Sequence, residues 1–178
     1  MTESTAAFRE ALSRFASGVV VATAFAADGP VGFTASAFSS VSLDPPLVLF
    51  CVAKKASAYA GIVGASAVGI SVLGAGQRWI AEQFARHGGD RFAGVPLRPG
   101  APVPLVEGAI AELSCRRHAV HDAGDHAIVV VEVLESRAGY GRPLVHYARA
   151  FGAFTPEGAH GEAAGDVREP SADVRGWP

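Results

Sequence analysis

The residues best placed to do chemistry in this chain are small and unreactive ones. Gly32-Phe33-Thr34-Ala35-Ser36-Ala37-Phe38-Ser39-Ser40 is a run of small and hydroxyl-bearing side chains. Small side chains let a flat ligand lie against the backbone, whose N–H groups then bind the carbonyl oxygens and ring nitrogens of a heteroaromatic system. The same composition suits a plain strand with its polar face in water, and on the residues alone neither reading leads. Cys51-Val52-Ala53-Lys54-Lys55-Ala56-Ser57 follows closely. A lysine loop just ahead of a helix opening at Ser57 is a reasonable phosphate cradle, combining a cation, a hydroxyl and a helix N-terminus. Lys54 and Lys55 are the only lysines among 15 basic residues, which a general preference for arginine also explains. The order along the chain is a ring site first and a phosphate site second.

Other constellations fail on spacing. Gly74-Ala75-Gly76-Gln77-Arg78-Trp79 lies between a strand and a helix, as a dinucleotide-binding turn would. Trp79 occupies the third glycine position, however, where helix and strand must pack closely, and no acidic residue ends a second strand about 20 residues on. Cys115, His118, His121 and His126 are metal-ligand types, but strand side chains at 115, 118 and 121 alternate faces. The chain has no Gly-x-Ser-x-Gly elbow, no His-Glu-x-x-His and no P-loop.

Something has to hold these segments in place. A length of 178 residues, 49% of them apolar, suggests one domain with its own core. Fifteen basic against 17 acidic residues give a net charge of −2, which argues against a nucleic-acid binder. No apolar run reaches the roughly 18 residues of a membrane span and no leader opens the sequence, so no membrane partner is expected. Cys51 and Cys115 alone make neither a disulfide framework nor a zinc site, and a reducing cytoplasm is the default.

Ser4 or Thr5 caps an opening helix with Phe8, Ala11, Leu12 and Phe15 on one face. Strands are expected over 18–25, 31–41, 47–52, 68–73, 109–120, 126–136, 144–147 and 151–154. Asp28-Gly29 and the stretch 122–125 supply turns. Helices are expected over 58–63, capped by Ser57, and over 77–87, with a Gly/Pro-rich loop from 88 to 104. Residues 155–178 carry five acids, two arginines and little to bury, and read as a tail without a core. Ahead of them stand thirteen basic and twelve acidic residues, so the acidity belongs to the tail. Strands too numerous to alternate with helices favour an antiparallel barrel with a few peripheral helices over a doubly wound sheet.

GFTASAFSSVSLDPPLVLFCV, the FAR at 84–86 followed by DRFAGV, the Cys115 strand, GDH at 124–126 and PLVHYARAF at 143–151 occur in order over residues 8–154. Together they resemble the short-chain flavin reductases, the reductase components of two-component flavin-dependent monooxygenases. The resemblance implies a mainly β, Greek-key-like FMN-binding split β-barrel over residues 1–154, with 155–178 as the tail. It implies FMN or FAD as cofactor and NADH or NADPH as hydride donor. It also implies a cytoplasmic homodimer and a partner monooxygenase that takes the reduced flavin.

Carried over by position, Thr34, Ala35, Ser36 and Ala37 would hold the isoalloxazine, with Ser39 and Ser40 on the turn after it. Lys54 and Ser57 would meet the flavin phosphate, and Phe84, Ala85 and Arg86 would close over the ribityl or phosphate side. His126, as the catalytic position, and Tyr147 with Arg149 would lie on the nicotinamide side. Ala37 stands where many members have a second serine, Val131 replaces a frequent glycine, and Ala150 leaves the last motif poor in glycine. The activity implied is hydride transfer from nicotinamide C4 to flavin N5. Two alternatives share the fold: an FMN-dependent oxidase that uses O₂, and a flavin-binding or electron-carrier protein without turnover.

Overall fold

The computed structural model describes residues 3–156. Helix α1 (Glu3–Ser13) opens the chain, and β1 (Ser17–Gly18), β2 (Val20–Ala26) and β3 (Gly29–Ala35) follow. Next come β4 (Phe38–Leu43), β5 (Pro46–Ala53), α2 (Tyr59–Gly64) and β6 (Ala67–Val72). A single 3-10 turn, Ala75–Gln77, leads into α3 (Arg78–Ala85). The long strands β7 (Ala111–Ala123) and β8 (His126–Ala138) precede the short hairpin β9 (Leu144–Tyr147) and β10 (Ala150–Ala153).

Seven strands form one antiparallel sheet in the order β3-β2-β6-β7-β8-β5-β4, and β1-β9-β10 form a second. The expected antiparallel, strand-dominated architecture is present. The large sheet is not closed by hydrogen bonds, because β3 pairs only with β2 and β4 only with β5. Its ends still approach each other, with Phe33 of β3 lying 6.0 Å from Phe50 of β5 between ring centroids.

That topology corrects one expected strand. Residues 31–41 do not form a single strand: β3 ends at Ala35, the chain crosses from one edge of the sheet to the other at Ser36 and Ala37, and β4 begins at Phe38. Helix α2 is also shifted from its expected start. Ala58, not Ser57, stands at its N-cap, and no side chain caps it.

Two apolar cores share β2. On one side Val20, Ala22 and Ala24 pack with Phe50, Ile62, Ile70 and Val129 inside the curled sheet. On the other, Val21 joins Val19, Leu73, Ile80, Phe84, Val106 and Leu144 beneath α3 and the segment 92–106. Each fully buried side chain of this size contributes roughly 1.5–3 kcal/mol. β2 can be covered on both faces because it carries one polar side chain in this stretch, Thr23, whose hydroxyl reaches the carbonyls of Pro104 and, at 3.3 Å, Gly69. Gly69 is required there, since a Cβ would come within 2.5 Å of the Pro104 carbonyl oxygen. Cys115 lies in the first core, and burial pushes its thiol up to about 12. Among the described residues no helix is long and apolar enough to cross a membrane.

Candidate active site

The crossover at Ser36 and Ala37 is where the sheet leaves main chain unpaired. Ala37 accepts the N–H of Cys51 at 3.0 Å, but the N–H groups of Ser36 and Ala37 lie outside both ladders. Both residues are exposed, whereas Ala35 turns into the core. A methyl-sized side chain on each side of an exposed peptide is what a flat ring needs to reach the backbone.

One cavity opens at this crossover and a second lies further back along β3. The larger, of about 880 Å³, is lined by Ser36, Ala37, Phe38 and Ser39 on one wall. Leu12, Phe15 and Arg9 from α1 and the stretch after it form another, and His126, His146 and Arg149 lie around it. The smaller, of about 240 Å³, lies along β3 beside Gly32 and is lined by Ser57, Gly88, Gly89, Asp90 and Arg91.

The smaller cavity is pinned through Arg91. Its guanidinium donates to the carbonyl of Gly32 at 2.9 Å and twice to that of Arg86, at 2.8 and 3.1 Å. Gln83 holds the same loop through the carbonyls of Arg91 and Ala93, both at 2.9 Å, and Asp90 accepts the N–H of Phe92 at 2.8 Å. Gly88 and Gly89 take φ of +77° and +74°, a conformation that lets the loop fold back on itself. Gly32 cannot carry a side chain, because a Cβ would press within 2.7 Å of the Phe84 ring.

Around the larger cavity the supports are side chains. His126 opens β8 after a two-residue turn led by Gly124 at φ +67°, and its Nδ1 lies 2.7 Å from Asp125 Oδ1. That contact holds the Asp125 carboxyl below the usual carboxylate range. It also leaves the ring's Nε2 as the nitrogen open to the cavity. His146 follows the buried Leu144 by two positions on β9 and rests edge-on against Phe151 at 5.5 Å. Arg149 pairs with Glu10 at 3.1 Å, Glu10 also holds Arg14 at 2.9 Å, and Ala148 donates its N–H to the carbonyl of Ser13. Hydrogen bonds that the Arg14 guanidinium donates to Tyr147 and then Glu10 raise it further.

The structure therefore brings Ser36, Ala37, Ser39, His126 and Arg149 to one cavity and Ser57 to the other. Five expected site residues are placed differently, one of them Ala35, which turns into the core. Thr34 gives its hydroxyl to the carbonyl of Ala81 at 2.6 Å, tying β3 to α3. Phe84 is 1% exposed, with its ring edge-on to Phe92 at 4.9 Å and packed against Gly32 of β3. Lys54 lines neither cavity: its ammonium is 2.5 Å from Asp122, and its N–H bonds the carbonyl of Asp125. That pairing raises the Lys54 ammonium and lowers the Asp122 carboxyl. Tyr147 is exposed beside Arg14, outside both cavity linings. Ala85, Arg86 and Ser40 are exposed near these walls, and the carbonyl of Arg86 serves the Arg91 clamp.

Sequence reasoning missed Arg91, His146 and the α1 wall. The DRF triplet and the alternation of Leu144 with His146 were the available signals. Among the described residues no three His, Cys, Asp or Glu side chains gather as a metal site: Cys115 is in the core, and His118 and His121 are exposed on β7.

Comparison with known proteins follows the same outline. The family described as "Flavin reductase like domain" matches residues 12–155. FMN reductase (NADH) of Agrobacterium fabrum is 42% identical over 154 residues, covering 86% of this chain and 88% of that protein. The reductase component of 4-hydroxyphenylacetate 3-monooxygenase from Thermus thermophilus is 44% identical over 146 residues, with 82% and 93% covered. Among solved structures, an NADH:FAD oxidoreductase of Streptomyces globisporus, in complex with NAD and FAD fragments, superimposes with a TM-score of 0.81. It is 35% identical and covers 86% of this chain and 94% of its own.

Proposed function

The chain belongs to the flavin reductase like domain family, and we propose on that footing that its crossover holds a flavin ring between two differently built cavities. The protein is an NAD(P)H-dependent flavin reductase: hydride passes from the nicotinamide to FMN or FAD, and the reduced flavin is supplied to a monooxygenase. The observation that carries the assignment within the structure is the position of Ser36 and Ala37. They present main-chain N–H groups outside both ladders in the wall of the cavity bearing His126, while the cavity bearing Ser57 and Arg91 lies further back along β3.

The residues present fit a flavin. When bound, the flavin supplies a ring nitrogen that accepts the hydride. The N–H groups of Ser36 and Ala37 hold the polar edge of the ring, and Ser39 lines the wall next to it. The Ser57 hydroxyl and the Arg91 guanidinium face the phosphate end. On this reading Arg91 replaces Lys54 as the phosphate-side cation, because Arg91 lines that cavity and Lys54 does not. The larger cavity takes the hydride donor, with His126 Nε2 at the nicotinamide carboxamide. No side chain here needs to form a covalent bond. What the protein supplies is alignment of two rings at reacting distance and exclusion of water from between them.

The molecule pairs with a second copy. The apolar face of α1 supports this, with Phe8, Leu12 and Phe15 all more than half exposed, as is Leu43 at 82% on the edge strand β4. Both cysteines are free thiols, which suits a cytoplasmic site of action.

Loss of NADH or NADPH absorbance on adding FMN, FAD or riboflavin tests the function directly. Turnover with flavin present and none without it is expected. Flavin retained without nucleotide oxidation would leave a carrier protein, and turnover of O₂ without nucleotide would leave an oxidase. Light scattering after gel filtration checks the dimer, for which a monomer mass is the contrary result.

A further inference from the structure

The turn between β9 and β10 is made by Ala148 at φ +48° and Arg149 at φ +65°. Two-residue turns with both centres left-handed favour Asn and Gly, and neither is present here. A side chain kept where its backbone is disfavoured points to work done by that side chain. Arg149 lines the larger cavity, and its guanidinium meets Glu10 at 3.1 Å. Glu10 is a shared partner, with its other oxygen on Arg14 at 2.9 Å. Both members of the Arg149–Glu10 pair are more than half exposed, so the pair is weak and readily exchanged. The main chain beneath it is fixed, because Ala148 N–H bonds the last turn of α1 at Ser13. The guanidinium can therefore change partners while the turn stays in place.

We propose that Arg149 is the anchor for the diphosphate of the hydride donor, and that Glu10 is the carboxylate this diphosphate displaces. The planar fork of a guanidinium matches two phosphate oxygens as well as it matches a carboxylate. Arg9 also lines this cavity. The flavin phosphate does not compete for this position, since Ser57 and Arg91 lie in the other cavity, across the crossover. The inference rests on the reading that the larger cavity takes the nicotinamide dinucleotide. It adds a contact that selects donors carrying a diphosphate over bare dihydronicotinamides, and a charge on α1 that tunes their affinity.

The test uses the full-length protein and NADH, with binding followed through the nucleotide's fluorescence in the absence of flavin. Arg149→Gly suits the left-handed turn, so it keeps the fold and removes only the side chain. It is expected to weaken NADH binding roughly tenfold, as the loss of one charge-assisted contact does. In turnover KM for NADH should rise while kcat at saturation holds. Glu10→Gln should tighten NADH binding by about threefold, and in the double variant this gain should vanish. A phosphate-free N-alkyl dihydronicotinamide should react equally with all four proteins. Unchanged NADH affinity in Arg149→Gly overturns the proposal, as does equal or weaker binding in Glu10→Gln, or the same loss towards the phosphate-free donor. A wild-type protein that fails to oxidise NADH with flavin present defeats the underlying reading instead.

Discussion

Beside Ser57, Arg91 commits its guanidinium to the main-chain carbonyls of Gly32 and Arg86; beneath α1, Arg149 and Arg14 share the carboxylate of Glu10. The first arrangement is half-buried and bound to backbone, so it barely responds to salt and sets a fixed shape. The second consists of exposed side chains whose partners can be exchanged and whose attraction is screened. The difference matches what the two ligands do in the reaction. On the proposed assignment the flavin ring has to lie in one orientation for hydride to reach it, which suits a side of fixed shape. Both flavin and donor arrive and leave in each cycle, and the donor's side, on the same assignment, is held by contacts that break more easily.

Arg91→Ala is the most severe way to break this contrast. It removes three bonds from a charged donor, each worth roughly 1.5–3 kcal/mol when well buried and less at this half-exposed site. Flavin affinity is expected to fall about a hundredfold, ~2.7 kcal/mol, with a lowered melting temperature. Fluorescence titration and thermal unfolding check this, and unchanged flavin binding would make the clamp irrelevant. His126→Ala should raise KM for the nicotinamide nucleotide about tenfold through loss of one hydrogen bond, and KM for flavin far less. Steady-state kinetics showing the reverse order would exchange the roles of the two cavities. Raising salt from about 0.05 to 0.5 M, where the screening length shrinks severalfold, should weaken NADH more than flavin. Equal sensitivity would mean that both sides rely on exposed charge. Lys54→Ala is the mildest: since Lys54 lines neither cavity, flavin affinity should change by less than about threefold. A larger fall measured by titration would return Lys54 to the phosphate site.

Much of this contrast lay beyond the reach of local sequence. The strands, the opening helix and the order of the motifs were legible, because period-two and period-3.6 patterns are local. The crossover was not. Alternation runs from Val31 to Ala37 and breaks at Ala37-Phe38, but a break alone does not say where the chain goes next, and only pairing of Thr34 with Val21 and of Ser39 with Leu49 sends the two halves to opposite edges. The small residues at 34–37 suggested a ring site in the sequence, yet could not show that Thr34 is tied to Ala81. Lys54 looked like a phosphate cation because the partner that neutralises it is 68 residues away. Arg91 looked like a loop residue because the carbonyl it clamps is 59 residues away. In each case charge type was readable and partner was not, which is the information that tertiary pairing adds.

β2 has a consequence for how the molecule opens. Val20, Ala22 and Ala24 belong to one core, and Val19 just ahead of the strand and Val21 belong to the other, with Thr23 bonded across to Pro104. Neither core can be exposed without stripping one face of the same strand. The two layers should therefore unfold as a single cooperative unit, and the amide hydrogens of Val20 to Thr23 should exchange with solvent only through global unfolding. Helix α1 has no such stake in either core. Its amides should exchange at a lower free energy than those of β2, through an opening that also breaks the Ala148–Ser13 bond and that a second copy covering Phe8 and Leu12 would oppose.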